Sequence, residues 1–350
     1  MSVRLEAPSD LTAGTAASLT PAERPSLRVI DLDAETWSWD SIRRFQERTA
    51  HSGSPLVGWT TRGAPREVTA ALDVTLGPPG STDQAIVASD DFGTSMLADL
   101  ERMVTRTSRH PQATMIAHEL LTTTSSLPVT DALTLESHAY SLLQSGPEFI
   151  AWRDSRQAMR QRETGDEILV VEDPGYMAIR LNRPDQRNAM NAAMRLALAD
   201  ALRAAELRED TVVELRGTGR HFSTGGDTTE FGTFEDPVSA HLLRSSWNVG
   251  GRLSGMSGRV NAYVQGACLG AGIELAAFAS RVVARPGSYF GLPELDLGLV
   301  PGAGGTVSLP RRIGRWRTAY MIYSGRLVPA GIARQWGLVD ELNEASGRDR

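Results

Sequence analysis

Beyond residue 167 the chain alternates strand-type runs with helix-type runs, and this order limits its folding more than any other feature. Met177, Ile179 and Leu181 alternate as a strand, while Met194, Leu198 and Leu202 recur every four residues on an Ala-rich helix capped near Asn191. Val212-Val213-Glu214-Leu215, Tyr263-Val264 and Val282-Val283-Ala284 are further strand-type runs, and the last two each flow into a Gly-rich turn. Such alternation predicts a layered α/β arrangement with a largely parallel sheet. Chemistry is expected at the turns.

The first half reads differently. Leu27–Asp31, Pro55–Thr60, Ala71–Leu76 and Ala85–Ala88 are short β-like runs separated by turn formers such as Gly77-Pro78-Pro79-Gly80. Four helical patterns follow: one capped by Thr94 and carrying Leu97, Leu100 and Val104, one opened by Pro111, one opened by Thr130 and Asp131, and one from Pro147 through Trp152. The charged stretch Arg160–Asp166 then marks a boundary. The resulting division is a mobile tail over 1–26, a module over 27–162 (β part 27–91, helical part 94–162) and a second module over 167–345. A length of 350 residues suits two domains, each with its own core.

Composition narrows the function classes. Cys268 is the single cysteine, so no internal disulfide or Cys-based zinc site is possible; a cytoplasmic location is expected, with Cys268 a small buried residue. A net charge of −6 without a basic run argues against nucleic acid, and no apolar run reaches the roughly 18 residues of a membrane span. Met1–Ser26 lacks the apolar segment of a signal peptide. Walker A, G-x-G-x-x-G, H-E-x-x-H and G-x-S-x-G motifs are all missing. The six histidines are scattered, and His221, the one in a candidate site loop, reads as a loop or packing residue.

Two Gly-rich strand-to-helix turns stand out, Gly217–Asp227 and Gly266–Glu274. Glycine lets the backbone approach a ligand closely and aim N–H groups at an anion, the requirement for an oxyanion hole; tight strand–helix packing is the other reading. Glu274 and Glu294 both lie in apolar surroundings, where an ionised carboxylate is costly, so each is a candidate acid/base with a raised pKa. The alternatives are a helix-N-terminal charge for Glu274 and a surface loop acid for Glu294.

These residues carry a resemblance. Leu181–Met190, Gly217–Asp227, Gly266–Glu274, Phe290–Gly305 and Gly337-Leu338-Val339-Asp340 stand in the order found in the crotonase superfamily, the enoyl-CoA hydratase/isomerase family, which the chain resembles from about 171 to 342. The resemblance implies an α/β spiral of ββα units, a CoA thioester substrate with no separate cofactor or metal, and a homo-oligomer of the trimer or hexamer type. By position it implies that the N–H groups of Gly226 and Ala271 hold the thioester oxygen, that Glu274 holds a water and Glu294 delivers the proton to C2, and that Gly302 adds a donor at the water. Thr224, Gly225, Gly226, Asp227, Gly270 and Ala189 would line the substrate and CoA site, with Arg183, Arg187 and Arg220 as candidate cations for the CoA phosphates. Both acids being glutamate matches the hydratases, so hydration of a 2-enoyl-CoA is the expected reaction. Double-bond isomerisation, C–C cleavage of an acyl-CoA, and a silent oligomeric scaffold are the alternatives.

The order departs from the family at one place. Members continue past the Gly-Leu-Val-Asp motif into about three closing helices, whereas here a polar stretch runs to Arg350, and Leu97–Trp152 resembles those helices instead, with Leu133-x-x-Glu136-x-x-Ala139 in one of them. The first half is therefore read as a degenerate, family-like α+β module whose helices cap the catalytic module of the same or a neighbouring subunit, an unrelated helical domain being the other reading. A Lys that members often place near the nucleotide corresponds to the neighbourhood of His118. The stretch Phe231–Asn248, with Trp247, is expected to shape the acyl pocket.

Overall fold

The computed structural model describes residues 3–11, 26–50, 52–156, 165–233, 236–256 and 258–343. Its first half opens with β1 (Leu5–Glu6), β2 (Arg28–Asp31), α1 (Trp39–Thr49), β3 (Leu56–Trp59), α2 (Arg66–Thr69), β4 (Val74–Gly77) and β5 (Ile86–Ala88). The strands form one all-parallel sheet in the order β1 to β5. Side chains alternate across such a sheet, so Val29, Val57 and Val74 enter the main core while Ile30 and Leu56 enter a smaller cluster with Leu11, Phe45, Val68 and Leu72 on the other face.

Two expectations for this half need correction. Residues 3–11 are not a mobile tail: β1 pairs with β2, Glu6 pairs with Arg28 at 2.5 Å, and Leu11 is buried. The cause is the otherwise open edge of β2, whose unpaired backbone groups and apolar face both gain from a cover. The supposed β part also contains α1. The Ser38 hydroxyl accepts from Ser41 N at 3.2 Å at its start, and Phe45 fixes it to the smaller cluster.

The helices α3 (Met96–Arg109), α4 (Pro111–Thr123), α5 (Val129–Gln144) and α6 (Pro147–Asp154) follow the sequence pattern closely. Ser95 rather than Thr94 caps α3, and Pro111 occupies the first turn of α4, where its missing N–H costs nothing. Residues 157–164, which hold most of the expected charged boundary, lie outside the described residues.

The second half runs β6 (Ile168–Asp173), β7 (Tyr176–Leu181), α7 (Ala192–Glu206), β8 (Val212–Gly217), α8 (Pro237–Trp247), α9 (Val249–Gly255), β9 (Val260–Val264), β10 (Ala267–Leu269), α10 (Ala271–Ala276), β11 (Arg281–Ala284) and β12 (Tyr289–Gly291). It closes with α11 (Gly305–Ile313), α12 (Arg315–Ser324), β13 (Val328–Pro329), α13 (Ala330–Gln335) and β14 (Glu341–Leu342). A six-stranded sheet has the order β14-β11-β9-β8-β7-β6, parallel except for the β6/β7 hairpin. After β7, β8 and β9 the chain crosses to a second strand layer, marked by the parallel bridges Met190–Gly226 and Ser223–Cys268 and by the parallel pair β10/β12. Each β-to-β step is thus followed by a helix, and the chain winds as an α/β spiral.

Helices α3 to α6 pack on this spiral within the same chain. Helix α12 meets α3 and α4, α11 meets α4 and α5, and α5 lies along α8 and α9. One continuous apolar core accordingly holds Leu100, Met103, Ala117, Leu120 and Leu143 together with Leu299, Tyr320, Met321 and Ile322. Buried polar ties fix the register. Arg106 Nε donates to Asp296 at 2.6 Å and Arg106 Nη1 to the Ile322 carbonyl, while Asp99 pairs with Arg326 and accepts from Tyr320 Oη at 3.1 Å. Removing one partner of a buried pair leaves the other charge uncompensated, so Asp99→Ala should lower the unfolding free energy by about 3 kcal/mol. Urea denaturation checks this, and an unchanged midpoint would mean that α3 is not anchored through Asp99.

Candidate active site

The two Gly-rich bends lie side by side. Gly270, between β10 and α10, has φ 48°; a Cβ there would stand 3.4 Å from Gly225 Cα and 2.5 Å from Glu294 Oε1. The positive φ disfavours any other residue, and a Cβ would also displace the Glu294 carboxylate. Strand-like bonds set the first bend: Met190 N donates to Gly225 O at 2.8 Å and Asp227 N to Met190 O at 2.9 Å, which turns the amide of the intervening Gly226 away from the bridge. Ala271 is the first residue of α10, so its N–H has no acceptor within the helix. Neither the Gly226 nor the Ala271 N–H donates to any protein acceptor among the described residues, and both residues line one cavity of about 250 Å³.

Four glutamates line the same cavity; Glu230 pairs with Arg195, and the other three, Glu136, Glu274 and Glu294, are buried. Glu274, on α10, is 1 % exposed, and its Oε2 accepts from Ala303 N at 2.7 Å and Gly305 N at 2.8 Å. Glu136, on α5, takes the alternate amides of that loop: Oε1 accepts from Gly304 N at 2.7 Å, and Oε2 from Thr306 N at 2.8 Å and Thr306 Oγ1 at 2.6 Å. Glu294, at the start of a short turn of helix after β12, is buried with no partner on Oε2. Burial is the largest cause of a raised pKa in all three; Glu136 and Glu294 are each pushed up to about 7, and Glu274 is raised as well, with repulsion from Glu294 and Glu136 added to burial. A coupled group of this kind retains a proton near neutral pH. The Tyr140 ring from α5 closes the site over Gly302, where any Cβ would collide with it.

The remaining expected site residues divide cleanly. Thr224, Gly225, Gly226, Gly270, Ala271, Glu274, Glu294 and Gly302 line the cavity, and from the Phe231–Asn248 stretch Phe231, Leu243, Arg244 and Trp247 do so as well. Arg183 does not: it is 2 % exposed, its Nη1 bonds Asp227 at 2.9 Å and the Ala189 carbonyl, and its Nε stands 3.1 Å from Glu167. Arg183, Ala189 and Asp227 therefore form an internal tie that holds the first bend, not a surface for CoA phosphates, because a guanidinium already paired with two carboxylates has no charge left for a ligand. Arg187 is exposed with φ 53° and lies off the cavity lining. His118 bonds Asp73 at 2.6 Å, and His221 Nδ1 accepts from Ala267 N at 3.0 Å, so both serve packing. Five ionisable cavity groups were not singled out in the sequence reading: Glu136, Tyr140, Arg195, Glu230 and Arg244, the last included only as part of the Phe231–Asn248 stretch. A signal existed only for Glu136, a carboxylate on the same helical face as Leu133 and Tyr140.

The comparisons with known proteins bear on this geometry. The family model of enoyl-CoA hydratase/isomerase matches residues 172–345. The 2,3-dehydroadipyl-CoA hydratase of Escherichia coli is 37% identical over 177 residues, covering 50% of this chain and 69% of that protein. The chain belongs to the enoyl-CoA hydratase/isomerase family. YngF of Bacillus subtilis, named as a putative enoyl-CoA hydratase/isomerase, is 35% identical and covers 51% of this chain and 70% of its own length. The crystal structure of an enoyl-CoA hydratase from Thermoplasma volcanium is 36% identical with a TM-score of 0.48, over 52% of this chain and 73% of that one. As a family member, the chain is an enzyme of crotonase type acting on acyl-CoA compounds.

The raised pKa of Glu294 has a consequence for stability. Its carboxyl ionises near 4.5 in the unfolded chain but near 7 when folded, so the favourable protonated state is fully present below about pH 4.5 and is lost as pH rises to 7. Glu294→Gln should therefore be more resistant to urea than the wild type above pH 7, by about 3 kcal/mol at most, with the advantage shrinking toward pH 4.5. A variant less stable at every pH would show that this carboxyl is not held protonated by burial.

Proposed function

We propose that the protein adds water across the double bond of a 2-enoyl-CoA. The observation that carries this reading is the pair of unengaged amides, Gly226 N–H and Ala271 N–H, opening into the cavity that also holds Glu274 and Glu294. A 2-enoyl thioester is electrophilic at C3 only when charge on its carbonyl oxygen is stabilised, and each preorganised donor contributes on the order of 3 kcal/mol in the transition state. Glu274 takes a proton from the water as the water oxygen bonds C3, and the electron pair moves through C2 onto the thioester oxygen. Glu294 then gives its proton to C2, and the carbonyl re-forms. The pair begins and ends with one proton, which has changed partner and returns when product leaves. Two backbone donors on Glu274 Oε2 favour its ionised form in the reactive state, and the unpartnered Oε2 of Glu294 suits a proton donor. The Escherichia coli relative is named a hydratase, which supports hydration, while the name of YngF carries both hydratase and isomerase.

Ala271→Pro isolates the oxyanion assignment. Proline is tolerated at the first position of a helix, so the substitution deletes one N–H and little else. Loss of enoyl-thioester absorbance from crotonyl-CoA should slow by about 10²- to 10³-fold in kcat, and by about 10²- to 10⁴-fold in Glu274→Gln and Glu294→Gln. Wild-type turnover in Ala271→Pro would remove the oxyanion role, and conversion of a 3-enoyl-CoA without hydration would make the enzyme an isomerase.

A further inference from the structure

All 36 basic side chains of this protein are arginines, so an arginine in the cavity wall is informative only through its partners. Of the two that line the cavity, Arg195 is paired with Glu230 at 3.3 Å and its guanidinium lies 5.4 Å from the Trp247 ring centroid. Arg244 has no carboxylate in an ion pair with it among the described residues. Its Nε donates to Ser137 Oγ at 3.2 Å, Nη1 to Gln144 Oε1 at 3.3 Å, and Nη2 to the Ser137 carbonyl at 3.2 Å and to Ser141 Oγ. Four of its five N–H groups are thus oriented by neutral oxygens, while one N–H on Nη1 is left over and the positive charge has no direct carboxylate partner, only the longer-range attraction of Glu136.

Placement says what that charge is for. The Tyr140 ring packs over Gly302 on one side, and the Arg244 guanidinium carbon lies 4.8 Å from its centroid. One end of the cavity thus holds three glutamates, and across a single tyrosine ring the other end holds two guanidiniums balanced by one carboxylate, Glu230. A half-buried cation without a directly paired carboxylate is costly unless a ligand supplies one, and a pocket for a plain hydrocarbon chain gains nothing from it.

Resting on the acyl-CoA reading above, we infer that the acyl group is a carboxyacyl chain whose distal carboxylate pairs with Arg244. The anion must be distal, because a carboxylate near the bends would face Glu136, Glu274 and Glu294. A few methylenes span the Tyr140 ring and place the reactive carbons at the acids and the charge at Arg244.

Saturated thioesters test recognition without requiring chemistry. Titration calorimetry of the wild type with adipyl-CoA, hexanoyl-CoA and free CoA compares ligands that share the nucleotide and, in the first two, the carbon count. Adipyl-CoA should bind at least tenfold more tightly than hexanoyl-CoA, Arg244→Met should abolish that ratio, and Arg244→Lys should retain part of it. Equal or tighter binding of hexanoyl-CoA overturns the inference. So does an Arg244→Met variant that loses free CoA as strongly as adipyl-CoA, since the cation would then serve the CoA phosphates. The wild-type ratio stands as a test by itself if the variants do not fold, and it is independent of whether crotonyl-CoA is hydrated.

Discussion

The loop 303–306 shares its four amides between two buried carboxylates, and the site depends on that division. Ala303 and Gly305 donate to Glu274, and Gly304 and Thr306 to Glu136. Neither acid could be sunk so deep without such donors, since an unsolvated carboxylate costs several kcal/mol. The loop needs the acids as much, because four consecutive amides at a helix start would otherwise be orphaned. Glu274 comes from the spiral and Glu136 from the first half of the chain, so the same bonds that fix the acid also attach α5 to the site.

Electrostatics follow from this attachment. Bringing Glu136 close raises the proton affinity of both neighbouring acids, and Tyr140, on the same helix, excludes water over Gly302. The cavity acquires an acidic end and a cationic end divided by one aromatic ring. That polarity cannot arise from the spiral alone, because the ring and Glu136 both belong to α5, as do the serines that orient Arg244.

Much of this was legible in the sequence where local chemistry decides the outcome. Strand and helix positions in the second half, both Gly-rich bends and the acid pair follow from periodicity, turn residues and motif order, and the structure brings Gly226, Ala271, Glu274 and Glu294 to one cavity. Long-range partners were not legible. Arg183 looked like a surface cation in a loop, yet its charge is spent on Glu167 and Asp227, the latter 44 residues away. Arg244 lies within the stretch expected to shape the acyl pocket, but its partners on α5 could not be read from the sequence. The strand Leu5–Glu6 is too short to carry a periodicity, and only the open edge of β2 creates its place.

The ties between helices and spiral also span long stretches of chain: Arg106 and Asp296 are 190 residues apart, Glu136 and Gly304 168. During synthesis the capping helices leave the ribosome with their apolar flanks bare, and the surface that must cover them is made only after well over a hundred further residues have been added. Closing such loops is slow, and exposed apolar flanks invite misassembly in the interval. The catalytic centre, which draws Glu136 from the first half and Glu274 from the second, can be completed only once both halves have been made.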